Sequence, residues 1–384
     1  MPKRILFALA ALLMVVSLVA IGCAPDEATP PDDENGEVPD DGDGDGDGDE
    51  PAQPSEETFE WVGQAALPSG MPPHEGLVRI SDTIEQMSGG RIKMTAHPAR
   101  AVVPATEEWK GINSGVLDFC AGGGSYMSSD VRFQTVFSQC PGGMPPLPMM
   151  IFHRQVGYEV MNKWYGEKGY AFIELGGGFH GLPEVWIHTT KPLEGPDDLE
   201  GLKMRASGDA GKVLEGMGVG TVFMPLGEIF ESMQRGVIDA FECSCPAFDY
   251  SMGLQEASDY AYLSPSRAPT EIYQFLVSEE KFNELPMDLQ AIVQDAAVAE
   301  SVNYHTMLHE RNADALTEIQ KEITVEPLPS SIDAAFVEAA KEYYAEEVTK
   351  FPELEDYMVN YYLPFANDWE ALYGFPYDVM TSLD

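Results

Sequence analysis

Strand-like and helix-like stretches alternate along the chain from residue 59 onward. The apolar run 59–67 predicts a strand, the amphipathic stretch 74–87 a helix, and residues 91–96 a second strand. The same alternation continues downstream, with predicted helices at 106–113 and 153–167 and predicted strands at 117–120, 170–175 and 184–189. This order is typical of α/β lobes with largely parallel sheets.

The longest helical pattern begins after Pro286. Residues 287–326 contain neither Pro nor Gly, and their apolar positions recur near helical spacing: Leu289, Ile292, Ala296, Leu308, Ala315 and Ile319. A coiled-coil seam would need a strict heptad, which this stretch lacks. One lobe does not need so long a helix, so the pattern predicts a helix that spans two lobes. Further helices are predicted at 333–349 and 354–373.

A faint repeat links the two halves of the chain. Gly115 and Gly236 each end a predicted helix, and each is followed by two hydrophobic residues and an Asp. Glycine at this position is the usual left-handed helix cap, and a strand would start directly after it. Ligands of open α/β sheets bind beyond the carboxyl ends of the strands. Two such lobes, with their strand ends facing one another, would therefore enclose a ligand between them.

The N-terminus carries an export signal. Lys3 and Arg4 precede the apolar run 5–21, which is the arrangement of a secretory signal peptide. The run ends in Gly22 and Cys23, resembling a bacterial lipobox, so cleavage before Cys23 would leave its thiol for a diacylglycerol. The alternatives are an uncleaved membrane anchor, since the run is nearly long enough to span a bilayer, and plain secretion. We expect residues 1–22 to be a lipoprotein signal peptide and the body to work outside the cytoplasmic membrane.

The segment that follows is too acidic and too polar to fold. Residues 24–58 hold 15 acidic and no basic side chains, and Pro, Gly, Asp and Glu dominate. We therefore expect residues 23–58 to be a disordered tether and 59–384 to be the two-lobed domain. The whole chain has a formal net charge of −42, which argues against a nucleic-acid partner because phosphates are bound by clustered Lys and Arg.

The sequence contains no enzyme motif in the structural context that the motif requires. Residues 176–181 match G-x-G-x-x-G, but a predicted strand follows where a phosphate-binding helix would be required. The sequence has no G-x-S-x-G, H-E-x-x-H or P-loop motif. The pair His305 and His309 suits solvent-facing histidines better than a metal site, since no third ligand is evident. A disulfide between Cys120 and Cys140 remains open, because sequence does not establish connectivity.

Arg205 is the most informative basic residue. It ends a short predicted strand (202–205), and a predicted helix follows Ser207. An arginine at a strand's carboxyl end lies where ligands bind, and its planar guanidinium suits a bidentate contact with a carboxylate. The alternative is a surface arginine paired with one of the many glutamates.

Residues 59–375 resemble the solute-binding proteins of tripartite ATP-independent periplasmic (TRAP) transporters. The closest branch is the one that binds dicarboxylates, 2-oxo acids and related carboxylates. The strand, Arg and helix of residues 199–220 are similar to the family's carboxylate-binding segment. Residues 236–253, with Asp239, Glu242, Pro246 and Asp249, keep the spacing of another family segment without a gap. The helix predicted after Pro286 is similar to the family's lobe-spanning helix.

The resemblance implies a two-lobed, periplasmic-binding-protein-like α/β fold and a receptor without enzymatic activity. Such a receptor captures a small organic acid and delivers it to the transporter's membrane subunits. Arg205 would bind the carboxylate, and Glu242 would coordinate a cation or accept a hydrogen bond from a ligand hydroxyl. The alternative for Glu242 is a structural carboxylate at the hinge. A secreted α/β enzyme acting on a small carboxylate is the competing function, and it would require a nucleophile–base pair in the cleft.

Three positions depart from the branch. Cys243 stands where an aromatic residue usually stacks over the ligand, and Phe248 replaces an Asn. The region around Glu184 replaces a segment whose Gln helps to hold a cation. Binding of a cation with the ligand is therefore allowed by the resemblance but not required, and no other cofactor is predicted. The remaining candidates for pocket walls are Phe179, Trp186 and Tyr126.

Overall fold

The computed structural model describes residues 57–373. Its strands are β1 (Phe59–Ala65), β2 (Ile92–His97), β3 (Phe119–Gly123), β4 (Phe172–His180), β5 (Val185–Thr189), β6 (Lys203–Arg205), β7 (Gly220–Val222), β8 (Ala240–Phe241), β9 (Tyr260–Leu263), β10 (Ile272–Ser278) and β11 (Thr324–Pro327). The predicted signal peptide, Cys23 and nearly all of the predicted tether lie outside the described residues.

The strands form two sheets, one for each lobe. The first sheet has the order β2-β1-β3-β10-β4, and the second has the order β11-β9-β5-β8-β6-β7. Both are mixed, which corrects the expectation of largely parallel sheets. β10 runs antiparallel to β3 and β4, and β5 runs antiparallel to β8 and β9, while the other neighbouring pairs are parallel. The two-lobed α/β class is confirmed.

Helices cover the sheets and join the lobes. They are α1 (Pro72–Met87), α2 (Glu108–Asn113), α3 (Phe133–Ser138), α4 (Pro146–Phe152), α5 (Tyr158–Lys168), α6 (Gly208–Gly216), α7 (Ile229–Gln234), α8 (Pro246–Ser251), α9 (Glu279–Asn283), α10 (Met287–Glu322), α11 (Ser330–Glu347), α12 (Pro352–Tyr357) and α13 (Leu363–Tyr373). The predicted helix at 153–167 is divided, with a π-helical turn at residues 153–157 before α5. None of the described helices is long and apolar enough to cross a bilayer.

The lobe-spanning helix is confirmed as α10, which is 36 residues long. It packs on β4 of the first sheet and on α8, which follows β8 of the second sheet along the chain. Contact with β4 is close at Gly177, where a Cβ atom would lie 2.3 Å from the carbonyl of Ala297. Gly178 N also donates to Ser301 Oγ of α10 at 3.0 Å. The glycine run that matches a dinucleotide motif therefore lies within β4, where it allows the helix to approach.

Both glycines of the internal repeat adopt the predicted left-handed conformation. Gly115 has φ of 72° and Gly236 has φ of 66°, and each precedes a strand, β3 and β8 respectively. The four described cysteines are buried free thiols, so Cys120 and Cys140 form no disulfide.

Two segments cross from one sheet to the other near the candidate site. Residues 181–184 connect β4 of the first sheet to β5 of the second, and residues 264–271 connect β9 of the second to β10 of the first. We call these two segments the crossover linkers. A movement of one lobe against the other would act on these linkers and on the third crossing, from β10 through α10 to β11, since element-terminal residues often form hinges.

Candidate functional site

Arg205 ends β6, which lies in the second sheet between β8 and the edge strand β7. Its side chain is buried, and its Nε donates to the main-chain oxygen of Met224 at 3.3 Å. Nη1 donates to the main-chain oxygen and to Oε1 of Glu242, both at 2.8 Å. Among the described residues, Nη2 has no hydrogen-bond partner. The guanidinium is therefore fixed on one side and available on the other.

Glu242 follows β8 and lies between two arginines. Its Oε1 accepts hydrogen bonds from Arg205 and from Ser207 Oγ, the latter at 2.9 Å. Its Oε2 accepts from Arg267 Nη1 at 3.0 Å. The side chain is 1% exposed, so these donors are what compensates its loss of hydration. Glu242 orients Arg205 and connects it to the hinge.

Arg267 lies in the second crossover linker and is fully enclosed. Its Nη2 donates to Glu184 Oε2 at 2.5 Å and to the main-chain oxygen of Val185 at 2.8 Å, and its Nε donates to the main-chain oxygen of Trp186 at 2.9 Å. Burial alone would lower the pKa of Arg267, but the carboxylates of Glu184 and Glu242 outweigh burial and raise it. Sequence reasoning missed Arg267. The available signal was a single basic residue between Pro265 and Pro269, in a segment joining two strands.

Glu184 and Glu271 bring the two crossover linkers together. The side-chain amide of Gln139 donates to Glu184 Oε1 and, at 3.4 Å, to Glu271 Oε1. Ser244 Oγ donates to the other oxygen of Glu271 at 3.1 Å. Burial raises the pKa of Glu271 to about 7, and the nearby Glu242 adds to this rise. Gln139 and Glu271 were also missed, because their roles depend on contacts between segments distant in sequence.

Two predicted wall residues are near this network. Tyr126 lies in the turn after β3, and burial together with Glu271 raises its pKa while Arg205 opposes the rise. Cys243 is buried beside Glu242, and burial raises the pKa of its thiol, again against the effect of Arg205. Both side chains are therefore within electrostatic reach of the guanidinium.

The other three predicted wall residues belong to the hydrophobic cores. Phe179 packs edge-on against Tyr304 of α10, with ring centroids 5.5 Å apart. Trp186 packs against Phe336 of α11, and its Nε1 donates to Ser266 Oγ. Phe248 is 2% exposed in the core below the first sheet. All three rings pack in the hydrophobic cores, and a contact of any of them with a ligand stays a prediction.

Asp249 of the family-like segment has a structural role. Its Oδ1 accepts from Ser244 N at 3.1 Å, and its Oδ2 is 2.9 Å from His188 Nε2. His188 Nδ1 is 3.2 Å from Ser258 Oγ, which completes a Ser-His-Asp group. All three side chains are buried, and the imidazole stacks on Phe241 at 4.7 Å. The group shapes the loop after Glu242 and presents no nucleophile to a substrate.

The carboxylates of the site are already occupied by protein donors. All four side-chain oxygens of Glu184 and Glu242 accept hydrogen bonds from Arg205, Arg267, Ser207 or Gln139. Within residues 57–373, no group of three His, Cys, Asp or Glu side chains is arranged to hold a metal ion. The geometry therefore suits recognition of an anion by Arg205 and does not fit a metal held jointly by Glu184 and Glu242.

Comparison with known proteins supports a solute-binding role. The family model DctP, described as bacterial extracellular solute-binding protein, family 7, matches residues 62–350. The monocarboxylate 2-oxoacid-binding periplasmic protein of Nostoc sp. (strain PCC 7120) is 24% identical over 277 residues, which cover 67% of this chain and 71% of that protein.

Solved structures confirm the fold. A TRAP periplasmic solute-binding protein from Colwellia psychrerythraea, with bound calcium and pyruvate, has a TM-score of 0.76 at 23% identity, covering 83% of this chain and 98% of that one. A TRAP periplasmic solute-binding protein from Pseudoalteromonas atlantica T6c, with bound sodium and pyruvate, has a TM-score of 0.75 at 22% identity and the same coverage. A cation bound with the ligand, as allowed by the sequence, is consistent with these structures.

The family model spans most of the folded body, and the resemblance inferred from the sequence is confirmed. The body works outside the cytoplasm as a receptor of the TRAP type, because that is what the family comprises. The chain belongs to the DctP family of bacterial extracellular solute-binding proteins, family 7.

Proposed function

We propose that the protein binds a small monocarboxylate of the 2-oxo acid class and delivers it to the membrane subunits of a TRAP transporter. The observation that carries this proposal is the state of Arg205. Its guanidinium is buried at a strand end and fixed by Glu242, while Nη2 has no hydrogen-bond partner among the described residues. A cationic nitrogen with unused hydrogens on a largely enclosed side chain suits an anion, because a charge-assisted hydrogen bond would compensate for lost hydration.

The geometry refines the expected bidentate contact. Nε and Nη1 of Arg205 already donate to Met224 and Glu242. A carboxylate therefore does not find two unoccupied nitrogens on the same edge of the guanidinium. The ligand carboxylate therefore binds Nη2, which carries two hydrogens. Such a charge-assisted hydrogen bond is stronger in a site closed to water than on an exposed surface.

The class of acid is supported by the similar proteins. The Nostoc protein is named for monocarboxylate 2-oxoacids, and both solved structures contain pyruvate. Ligand binding between the lobes would favour the closed form, which the membrane subunits would then recognise. No catalytic step is part of this function.

A thermal-shift and calorimetric screen of the full chain, purified in mild detergent, tests the proposal. The panel comprises pyruvate, a longer 2-oxo acid, a dicarboxylate, D-glucuronate and pyruvamide. We expect the 2-oxo acids to raise the melting temperature most and pyruvamide, which has no carboxylate, to have no effect. Equal stabilisation by pyruvamide, or none by any acid, would contradict a carboxylate receptor.

We also infer that residues 1–22 are removed, that Cys23 carries lipid and that residues 23–58 are the tether to the membrane. The support is the apolar run ending at Gly22-Cys23 and the acidic, Pro- and Gly-rich stretch after it. Cys23→Ser should release the protein from membranes or leave an unprocessed precursor. Mature protein of Cys23→Ser that still requires detergent would exclude the lipid at this position.

A further inference from the structure

Two buried glutamates, Glu184 and Glu242, lie on either side of the guanidinium of Arg267. Glu184 belongs to the first crossover linker, Glu242 follows β8, and Arg267 of the second crossover linker donates to both, at 2.5 Å and 3.0 Å. We propose that Arg267 is a built-in cation, which replaces a bound metal ion, so that this receptor captures its acid without calcium or sodium. The proposal rests on the proposed function of the site and concerns how that site is assembled.

Two buried carboxylates face Arg267. Glu184 is 3% exposed and Glu242 is 1% exposed, and burial raises the pKa of Glu184 while Arg267 opposes the rise, so a positive charge at this place favours the ionised form of Glu184. In the two similar structures a calcium or a sodium ion accompanies pyruvate. Here the guanidinium supplies the charge, with hydrogen bonds directed at one oxygen of each carboxylate.

The guanidinium of Arg267 is fixed in place by main-chain oxygens. Arg267 Nε and Nη2 also donate to the carbonyl oxygens of Trp186 and Val185 in β5. Four of its five N–H groups can thus be assigned to acceptors around it. A side chain held in this way does not move aside at low cost, so a metal ion would have to displace a buried cation with four of its N–H groups bonded.

Arg267 is connected to the ligand-binding Arg205 through Glu242. Glu242 uses Oε2 for Arg267 and Oε1 for Arg205, so the position of Arg205 depends on the position of Arg267. Arg267 also joins both crossover linkers, since Glu184 lies in one and Arg267 in the other. Arg267 is therefore a positioning residue, which sets the ligand-binding arginine relative to the hinge.

The parent protein provides the first test. The full chain is purified in detergent, exchanged into potassium buffer with chelator, and titrated with calcium chloride alone and then with pyruvate, with and without calcium or sodium. We expect no saturable calcium binding and less than a twofold change in the apparent pyruvate Kd. Stoichiometric calcium binding, or a tenfold loss of pyruvate affinity in chelator, would overturn the proposal.

Substitution of Arg267 provides the second test. In Arg267→Met, Glu184 loses its cation and Glu242 keeps only Arg205, so calcium chloride alone should raise the melting temperature by several degrees, and pyruvate affinity should become calcium-dependent by tenfold or more. Arg267→Lys keeps a charge and should stay indifferent to calcium. Arg79→Gln is the matched control, because it leaves the buried Glu300 without its arginine but with no second carboxylate facing it. It should gain no calcium dependence.

These outcomes separate the two proposals. If no acid binds the parent, the carboxylate function fails, while the calcium titrations of the parent and of Arg267→Met still decide whether Arg267 replaces a metal. If Arg267→Met does not fold even with calcium, the parent and Arg267→Lys decide. Calcium stabilising the parent and Arg267→Met equally would show that the ion binds elsewhere and that Arg267 replaces nothing.

Discussion

Two arginines, Arg132 and Arg205, differ in how many of their guanidinium nitrogens donate hydrogen bonds to the protein. Arg132 precedes α3 and donates to Glu347, Asp209, Thr135 and Tyr343 through all three nitrogens. Arg205 donates through Nε and Nη1 only. We call the group around Arg132 the clasp and the group around Arg205 and Arg267 the hinge network.

The carboxylate of the clasp is occupied by several protein donors. Asp209 in the clasp accepts from Thr135 at 2.8 Å, from Tyr344 at 2.9 Å and from Tyr343 at 3.1 Å, in addition to Arg132. Burial alone would lower the pKa of Arg132, and Asp209 outweighs it and raises that pKa. The clasp ties α3, α6 and α11 together and leaves nothing for a ligand. We therefore expect the clasp to stabilise the fold, and we expect Arg205, which has an unused nitrogen at a strand end, to serve ligand binding.

Breaking the clasp should have the largest effect on stability. Arg132→Met removes the cation and leaves Asp209 buried with only neutral donors, which should cost about 3–5 kcal/mol in the free energy of unfolding. Chemical denaturation measures this. Arg235→Met removes an exposed i,i+4 ion pair with Glu231 and should change stability by less than about 0.5 kcal/mol. Equal, small effects of the two substitutions would show that the clasp does not support the fold.

Substituting Arg205 should instead affect binding. Arg205→Ala should weaken the binding of the acid that stabilises the parent by about 2–5 kcal/mol, because the ligand carboxylate loses its buried partner. Arg205→Lys keeps the charge but not the bonds to Met224 and Glu242, so it should also bind weakly. Calorimetric titration measures both.

The control for this prediction is Arg311→Ala, which removes a half-exposed arginine paired with Glu75 on the first lobe. Its affinity for the acid should equal that of the parent. Arg205→Ala binding the acid as tightly as Arg311→Ala does would mean that Arg205 is only a structural partner of Glu242.

The positions of these groups could be predicted from the sequence only where local patterns determine them. Apolar residues at near-helical spacing predicted α10, and the caps Gly115 and Gly236 predicted that β3 and β8 follow them. Arg205 was identified because a strand end and the following helix are local features. Glu242 was identified from its spacing within residues 236–253.

The rest depends on contacts between distant segments. The antiparallel direction of β10 follows from the chain crossing back into the first sheet, which strand patterns do not encode. Phe179, Trp186 and Phe248 are large and apolar, and no local pattern distinguishes a core ring from a pocket ring. Arg267 and Gln139 acquire their roles from partners 25 or more residues away in sequence.

Glu271 allows a finer distinction between the two networks, because the hinge network contains a carboxyl that titrates near neutral pH. Burial raises its pKa to about 7 from an ordinary value of 4.5. The unfolded chain releases this proton above about pH 4.5, while the folded protein keeps it until about pH 7. The unfolded state thus binds fewer protons in this interval, and this carboxyl lowers the stability of the protein as the pH rises from about 4.5 to 7, with no further change above.

Glu271→Gln removes that dependence and keeps an acceptor for Ser244. Compared with the parent, the variant should be equally stable at pH 4.5 and more stable at pH 8 by about 1–3 kcal/mol, given about 1.4 kcal/mol for each pKa unit and partial exposure to water. Denaturation at the two pH values measures the difference. Glu347→Gln in the clasp should behave oppositely, because Arg132 and Lys350 hold the pKa of Glu347 below its ordinary value and its ionised form stabilises the fold. A Glu271→Gln variant whose stability tracks the parent at both pH values would show that Glu271 ionises normally and that the hinge network carries its full negative charge at neutral pH.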